Sequence, residues 1–184
     1  MKKNLLIALF AMTVTISAVA GSSDKDPMVG GAAMYPQKNI VENAVNSKDH
    51  TILVAAVKAA GQVDTFESPG LFTVFAPTNE AFNKLPAGTV DTLRKPENKS
   101  QLTKILTYHV VAGRISASDL MKQITEGGGK ATLKTVNGET LTASLRGKHI
   151  VLTDEKGDIS TVTIANVFQS NGVIHVIDSV VLPQ

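Results

Sequence analysis

Residues Ala131 to Leu182 read ATLKTVNGETLTASLRGKHIVLTDEKGDISTVTIANVFQSNGVIHVIDSVVL, and this stretch decides the fold class. Apolar and β-branched residues recur at period two over Ala131–Val136, Glu139–Leu145, His149–Thr153, Ile159–Ile164, Val167–Gln169 and Val173–Leu182, the alternation expected of half-buried strands. Asn137-Gly138 predicts a type I′ hairpin, and Arg146-Gly147, Lys156-Gly157 and Asn171-Gly172 predict further tight turns, because these residues tolerate positive φ. Connections this short join antiparallel neighbours.

Upstream of Gly129 the helical period dominates. Leu102, Ile105, Leu106 and His109 fall at i, i+3, i+4 and i+7, which puts His109 on an apolar face. Ile52, Leu53, Ala56, Val57 and Ala60 share a face of another helix closed by Gly61, and Asn39 can cap a shorter one before it. Ser116 or Ser118 can cap a helix carrying Leu120, Met121 and Ile124, ended by Gly127, Gly128 and Gly129. Between these lies Leu71–Ala76, an unbroken apolar run that reads as a buried strand stopped by Pro77. Thr78 then offers an N-cap, with Asn79 and Glu80 in the first turn and Ala81, Phe82 and Leu85 facing inward. Helices first and hairpin-linked strands later predict an α+β domain, with a largely antiparallel sheet against a helical layer.

The beginning of the chain carries a different message. Lys2 and Lys3 precede an apolar run from Leu5 to Ile16, and Ala18-Val19-Ala20 supplies small residues for a secretory cleavage between Ala20 and Gly21. That run is shorter than the roughly 20 residues of a membrane span, so residues 1–20 read as a signal peptide and no span is expected after its removal. Residues 21–37, rich in Gly, Ser, Asp and Pro, read as a flexible leader, and 38–184 as one domain. The expected location is periplasmic, secreted or at the cell surface. Loss of Lys2 and Lys3 leaves 16 basic and 16 acidic residues, and a neutral chain argues against nucleic acid as a partner. There is no cysteine, which excludes disulfides, thiol chemistry and a lipid-modified N-terminal cysteine.

Three segments carry a family resemblance: TVFAPTNEAF from Thr73 to Phe82, LTYHVVAGRI from Leu106 to Ile115, and NGVIHVIDSVVLP from Asn171 to Pro183. In motif, order and spacing they resemble the fasciclin domain family over about Asn39 to Pro183. The resemblance implies a β-wedge or sandwich packed on helices, with the first and third segments as neighbouring strands in the core. It further implies an adhesion or recognition role and, for a single copy behind a signal peptide, kinship with secreted bacterial members. Tyr108 and His109 match the tyrosine-histidine motif with which animal relatives bind integrins; Asn166 and Val167 stand where those relatives carry an aspartate-isoleucine pair. Asn166 lacks the carboxylate, so integrin-type recognition is not expected. Tyr108 and His109 also read as interior groups with satisfied hydrogen bonds, and His175 as a structural imidazole whose partner is expected near Thr78 or Asn79.

No G-x-S-x-G elbow occurs, and no two of His50, His109, His149 and His175 are close in sequence, so neither a serine hydrolase nor a metal site is expected. The remaining catalytic alternative is a site assembled from distant residues such as His149 and Asp154. The expected function is noncatalytic: a cofactor-free binding module, monomeric or weakly self-associating, that contacts a surface or matrix protein or a polysaccharide. The alternative in another class is a self-associating envelope or stress protein. Mass spectrometry of the exported protein should find Gly21 at its N-terminus; a chain retaining Met1 would contradict the cleavage reading.

Overall fold

The computed structural model describes residues 26–184; the expected signal peptide and residues 21–25 lie outside them. A two-stranded hairpin, β1 (Met28–Val29) and β2 (Ala32–Ala33), comes first. Helices α1 (Ile40–Ala44), α2 (Thr51–Ala60) and α3 (Val63–Glu67) precede β3 (Phe72–Pro77), and α4 (Asn79–Asn83), α5 (Thr89–Leu93) and α6 (Lys99–Tyr108) follow it. Then come β4 (Val110–Ala112), α7 (Ala117–Glu126), β5 (Lys130–Lys134), β6 (Thr140–Arg146), β7 (His149–Thr153), β8 (Ile159–Gln169) and β9 (Gly172–Ile177).

Strands β3 to β9 form one sheet in the order β4-β3-β9-β8-β7-β6-β5, antiparallel throughout except for the parallel pair β3–β9. Its ends curl together until the edge strands touch at a bridge between Val111 and Thr135. The result is a wedge with apolar clusters on both sides of β3 and β9. Val74, Ala76, Ile174 and Val176 face residues from α1 to α6, while Phe75 and Ile177 face Tyr108, Leu120 and Ile124 and the inner side of β5 to β8. An α+β class with a helical layer was the expectation, and the fold meets it.

Local chemistry explains the element boundaries. Asn39 and Glu42 form a reciprocal capping box on α1, and Ser116 and Asp119 do the same on α7, each satisfying N-terminal amides that the helix cannot. Gly61 closes α2 in the left-handed region, with φ of 67°. Thr78 caps α4, its hydroxyl accepting from the Ala81 N–H at 3.2 Å.

Several expectations need correction. Residues 28–37 are part of the packed domain: Gly30 and Gly31 supply the positive φ of the β1–β2 turn, and Val29 and Met34 are buried. The glycines that suggest mobility build a tight turn instead. At Asn137-Gly138 the hairpin has a three-residue loop, because Gly138 has positive φ and Asn137 does not. The Thr135 N–H donates to the Glu139 carbonyl, and the Asn137 carboxamide oxygen accepts from the Glu139 N–H at 3.0 Å. β8 is one strand bent by two register shifts, where the sequence pattern suggests two strands. β9 ends at Ile177: the Asp178 N–H still donates to the Thr161 carbonyl, but amides beyond it donate to side chains, Ser179 to Ser160, Val181 to His109 and Leu182 to Asp154. Met121 is exposed on α7.

Asn171-Gly172 serves long-range packing. The buried Asn171 side chain accepts from the Ile40 N–H at 3.0 Å and donates to the Phe66 and Ser68 carbonyls at 2.7 and 3.1 Å, tying α1 and the end of α3 to the start of β9. A Cβ on Gly172 would stand 2.2 Å from the Phe72 carbonyl oxygen, a backbone atom of the neighbouring strand. Gly172→Ala should therefore destabilise the protein by about 2 kcal/mol, seen as a lower urea midpoint with an unchanged slope; an unchanged midpoint would contradict the close approach of β3 to β9.

Candidate functional site

Tyr108 and His109 end α6 and point into different clusters. The Tyr108 side chain is fully buried and its hydroxyl donates to the Thr140 carbonyl at 2.7 Å. Burial, with the charges of Asp154, Glu155 and Glu139 adding to it, pushes this phenol up to about 12. His109 is buried on the helical side of the junction. Its Nδ1–H donates to the Ile105 carbonyl at 2.8 Å, and its Nε2 accepts from the Val181 N–H at 3.3 Å. The expected apolar-face position of His109 is what is found.

His175 is buried at the centre of β9 and stacks on Phe75, its register partner in β3, with ring centroids 5.7 Å apart. Its partners differ from those expected. Nε2–H donates to the Ile115 carbonyl at 2.9 Å, and Nδ1 accepts from the Asn166 N–H at 3.3 Å. Neither Thr78 nor Asn79 takes part. Asn79 instead accepts from the Ile52 N–H at 3.0 Å and donates to the Lys48 carbonyl at 2.8 Å, joining α4 to the start of α2. The reason is the parallel pairing: Phe75 sits opposite His175, so Thr78 lies beyond the paired end of β9.

Asn166 and Val167 do not form a surface pair. Val167 is completely buried, and Asn166 is half-buried at the bend of β8, the single non-glycine residue with positive φ among those described, at 60°. The Asn166 side chain accepts from the Ala117 N–H at 2.7 Å, in the first turn of α7. The carboxamide that replaces the expected carboxylate thus anchors α7, while the adjacent amide holds His175. Among the candidate binding residues, only Asn166 retains partial solvent contact.

His149 and Asp154 are not brought together. His149 is exposed at one end of β7; Asp154 follows the other end and is buried. Five residues of extended strand separate them by roughly 17 Å. Asp154 organises its turn, one oxygen accepting from the Lys156 and Asp158 N–H groups at 3.0 and 2.9 Å and the other from Leu182 N–H at 2.9 Å. Among the described residues no group of three or more His, Asp or Glu side chains is placed to hold a metal ion. The apolar cavity between α1, α2, α3 and α6 measures about 50 Å³. Small-molecule sites start at about 300 Å³, so this is a packing void.

Sequence reading missed the buried polar set that includes Asn43, Gln169 and Asn171. The Asn43 side chain donates to the Tyr35 carbonyl and to Gln169 Oε1, and accepts from the Tyr35 N–H. The signal for Asn43 was its place among apolar neighbours on a capped helix. The buried Thr73 hydroxyl, to which the sequence pattern assigns no partner, donates to the Gly113 carbonyl at 2.7 Å and accepts from the Ile115 N–H at 2.8 Å.

With that geometry established, comparison with known proteins is informative. The sequence model of the family described as Fasciclin domain matches residues 48–183. The chain is similar to Protein sll1483 of Synechocystis sp., 45% identical over 176 residues that cover 95% of this chain and 91% of that protein. It is also similar to Cell surface glycolipoprotein MPB83 of Mycobacterium bovis, 31% identical over 166 residues, covering 90% of this chain and 64% of that one. Among solved structures, a FAS1 domain pair from the insect cell adhesion molecule fasciclin I shares the fold with a TM-score of 0.71 at 20% identity, covering 80% of this chain and 51% of that chain.

Both interior imidazoles face an N–H donor through one nitrogen, so a second ring proton would meet another proton. Burial, the larger cause, holds His109 down to about 4 and lowers His175 and His50 as well. An unfolded histidine titrates near 6.5, so between these values the unfolded chain binds more protons and stability must fall as pH falls. Urea unfolding should show a loss of about 3 kcal/mol attributable to His109 between roughly pH 6.5 and 4, and His109→Gln should flatten that slope. A slope unchanged by the substitution would show that His109 is not the neutral interior group described.

Proposed function

Because the chain belongs to the fasciclin domain family, we propose that it is a noncatalytic binding module acting outside the cytoplasm, where it contacts a surface or matrix protein or a polysaccharide. The observation that carries this reading is the use made of the residues richest in chemistry. The Tyr108 hydroxyl, both nitrogens of His109 and His175, and the Asp154 carboxylate are all engaged with backbone groups of the domain itself. They stabilise the junctions between elements, so recognition falls to the outer strand faces, the sheet edges and the loops.

The extracytoplasmic location rests on the Lys2-Lys3, apolar-run and Ala18-Val19-Ala20 pattern, together with similarity to a relative named as a cell surface glycolipoprotein. No helix among the described residues is long and apolar enough to cross a membrane.

A panel of matrix proteins, surface proteins and polysaccharides should yield saturable binding to the purified protein, without turnover of ester, glycoside or phosphate substrates. Hydrolytic turnover abolished by His149→Ala would overturn the noncatalytic reading.

A further inference from the structure

The registers fix which side chains lie on the outer face of β5 to β7. Ala131, Ala143, Ile150 and Leu152 belong to the core cluster beneath α7, so their alternating neighbours point the other way. Lys130, Ser144 and Val151 form one row across the three strands, and Thr132, Thr142 and Thr153 form the next. Arg146 and His149 then flank a two-residue turn in which Gly147 has φ of 64°, with Lys148 exposed at its tip.

Charge on this face is sorted by sign. Lys130, Arg146 and Lys148 are exposed and make no ion pair among the described residues. Glu126, four residues before Lys130, faces Lys122 at 3.9 Å. At the opposite end of the strands, Glu155 is held by the Thr140 N–H and hydroxyl at 2.9 and 3.0 Å, and Asp154 and Asp158 close the β7–β8 turn. The hydroxyls differ from those elsewhere in the domain. Thr73, Thr103, Thr107 and Thr125 donate theirs to backbone carbonyls, whereas those of Thr132, Thr142 and Ser144 have no partner among the described residues.

We propose that this basic end of the outer face binds an acidic polysaccharide, a chain of uronate sugars laid across β5, β6 and β7. The proposal rests on the binding-module reading and deepens it by naming the surface and the chemistry of the partner. Lys130 and Arg146 are diagonal neighbours, about 7–8 Å apart at the backbone. The Arg146 guanidinium fits a carboxylate bidentately, and Lys130 and Lys148 add point charges around it. The free hydroxyls offer both donors and acceptors to sugar hydroxyls. A protein partner fits less well, because protein interfaces centre on apolar or aromatic anchors and Val151, the apolar member of the first row, is 4% exposed. Nucleic acid lacks the aromatic platform on which its bases stack. A chain with a single carboxylate on each sugar also suits this face better than a multiply sulfated one, since the far end is acidic. A second copy of the chain would set like charges against each other.

The test titrates the purified protein with an oligogalacturonate at low ionic strength, followed by amide-resolved NMR. Shift changes should saturate and centre on Lys130, Ser144 and residues 146–149, while a neutral dextran of equal length leaves them unmoved. Lys130→Ser with Arg146→Ser should weaken binding by roughly tenfold, and added salt should weaken it too. Lys148→Glu, at the tip of the turn and outside both strands, should act in the same direction. These side chains are exposed, so helix amide shifts should stay native in every variant. No binding of the oligogalacturonate, equal binding of dextran, shifts centred on another surface, or tighter binding of polyglutamate or dextran sulfate would overturn the proposal. So would self-association abolished by the Arg146 substitution. A ligand whose saturable binding survives all three substitutions would remove this site and leave the binding-module reading intact, whereas a protein that binds no surface protein, matrix protein or polysaccharide would contradict both.

Discussion

The structure depends on two strands, β3 and β9, lying parallel with both faces shielded from water. Antiparallel sheets in small domains commonly keep one wet face, but these central strands have none, and their sequences are accordingly continuous apolar runs. Phe75 and Ile177 look toward one cluster, and Val74, Ala76, Ile174 and Val176 toward the other. Burying the strands on both sides forces two further requirements. The backbones must approach closely, which Gly172 permits beside the Phe72 carbonyl, and every polar group inside must find a partner.

The imidazoles meet the second requirement in complementary ways. His109 donates through Nδ1 and accepts through Nε2; His175 does the reverse. Each bridges segments that no regular ladder joins: α6 to the C-terminal segment in one case, and the loop before α7 to the bend of β8 in the other. Asp154 and Asn171 play the same part at the Leu182 amide and the start of α1. Such groups explain how a cysteine-free domain holds its irregular segments: hydrogen bonds in a dry interior are costly to break because the partner left behind is unsatisfied. They also explain why motif residues that suggest recognition are directed inward.

Local signals were legible where local chemistry decides. The Asn39, Thr78 and Ser116 caps, the Gly61 stop, the apolar stripe ending in His109 and the hairpin order of β5 to β8 follow from residue type and spacing. Long-range pairing was not legible in the residues alone. The Asn171 side chain acts across more than a hundred residues, and the Asn166 conformation is imposed by a bend whose purpose is to reach His175 and α7. Glycine was ambiguous for the same reason: Gly30 and Gly31 suggest mobility until the packing of Val29 and Met34 gives their turn a role. The family resemblance brought the two signature strands together, but the orientation of each motif side chain required the fold. Tyr108 and His109, adjacent in sequence, belong to different sides of the wedge.

If the interior around β3 and β9 is as dry and as well paired as this, His109 and His175 must be fixed in single neutral forms. Ring nitrogen NMR of uniformly ¹⁵N-labelled protein measures this directly. His109 should carry its proton on Nδ1 and His175 on Nε2, with neither ring titrating until the pH lies well below the ordinary imidazole range. Rings that average between tautomers and titrate together near pH 6.5, as free histidine does, would contradict the account.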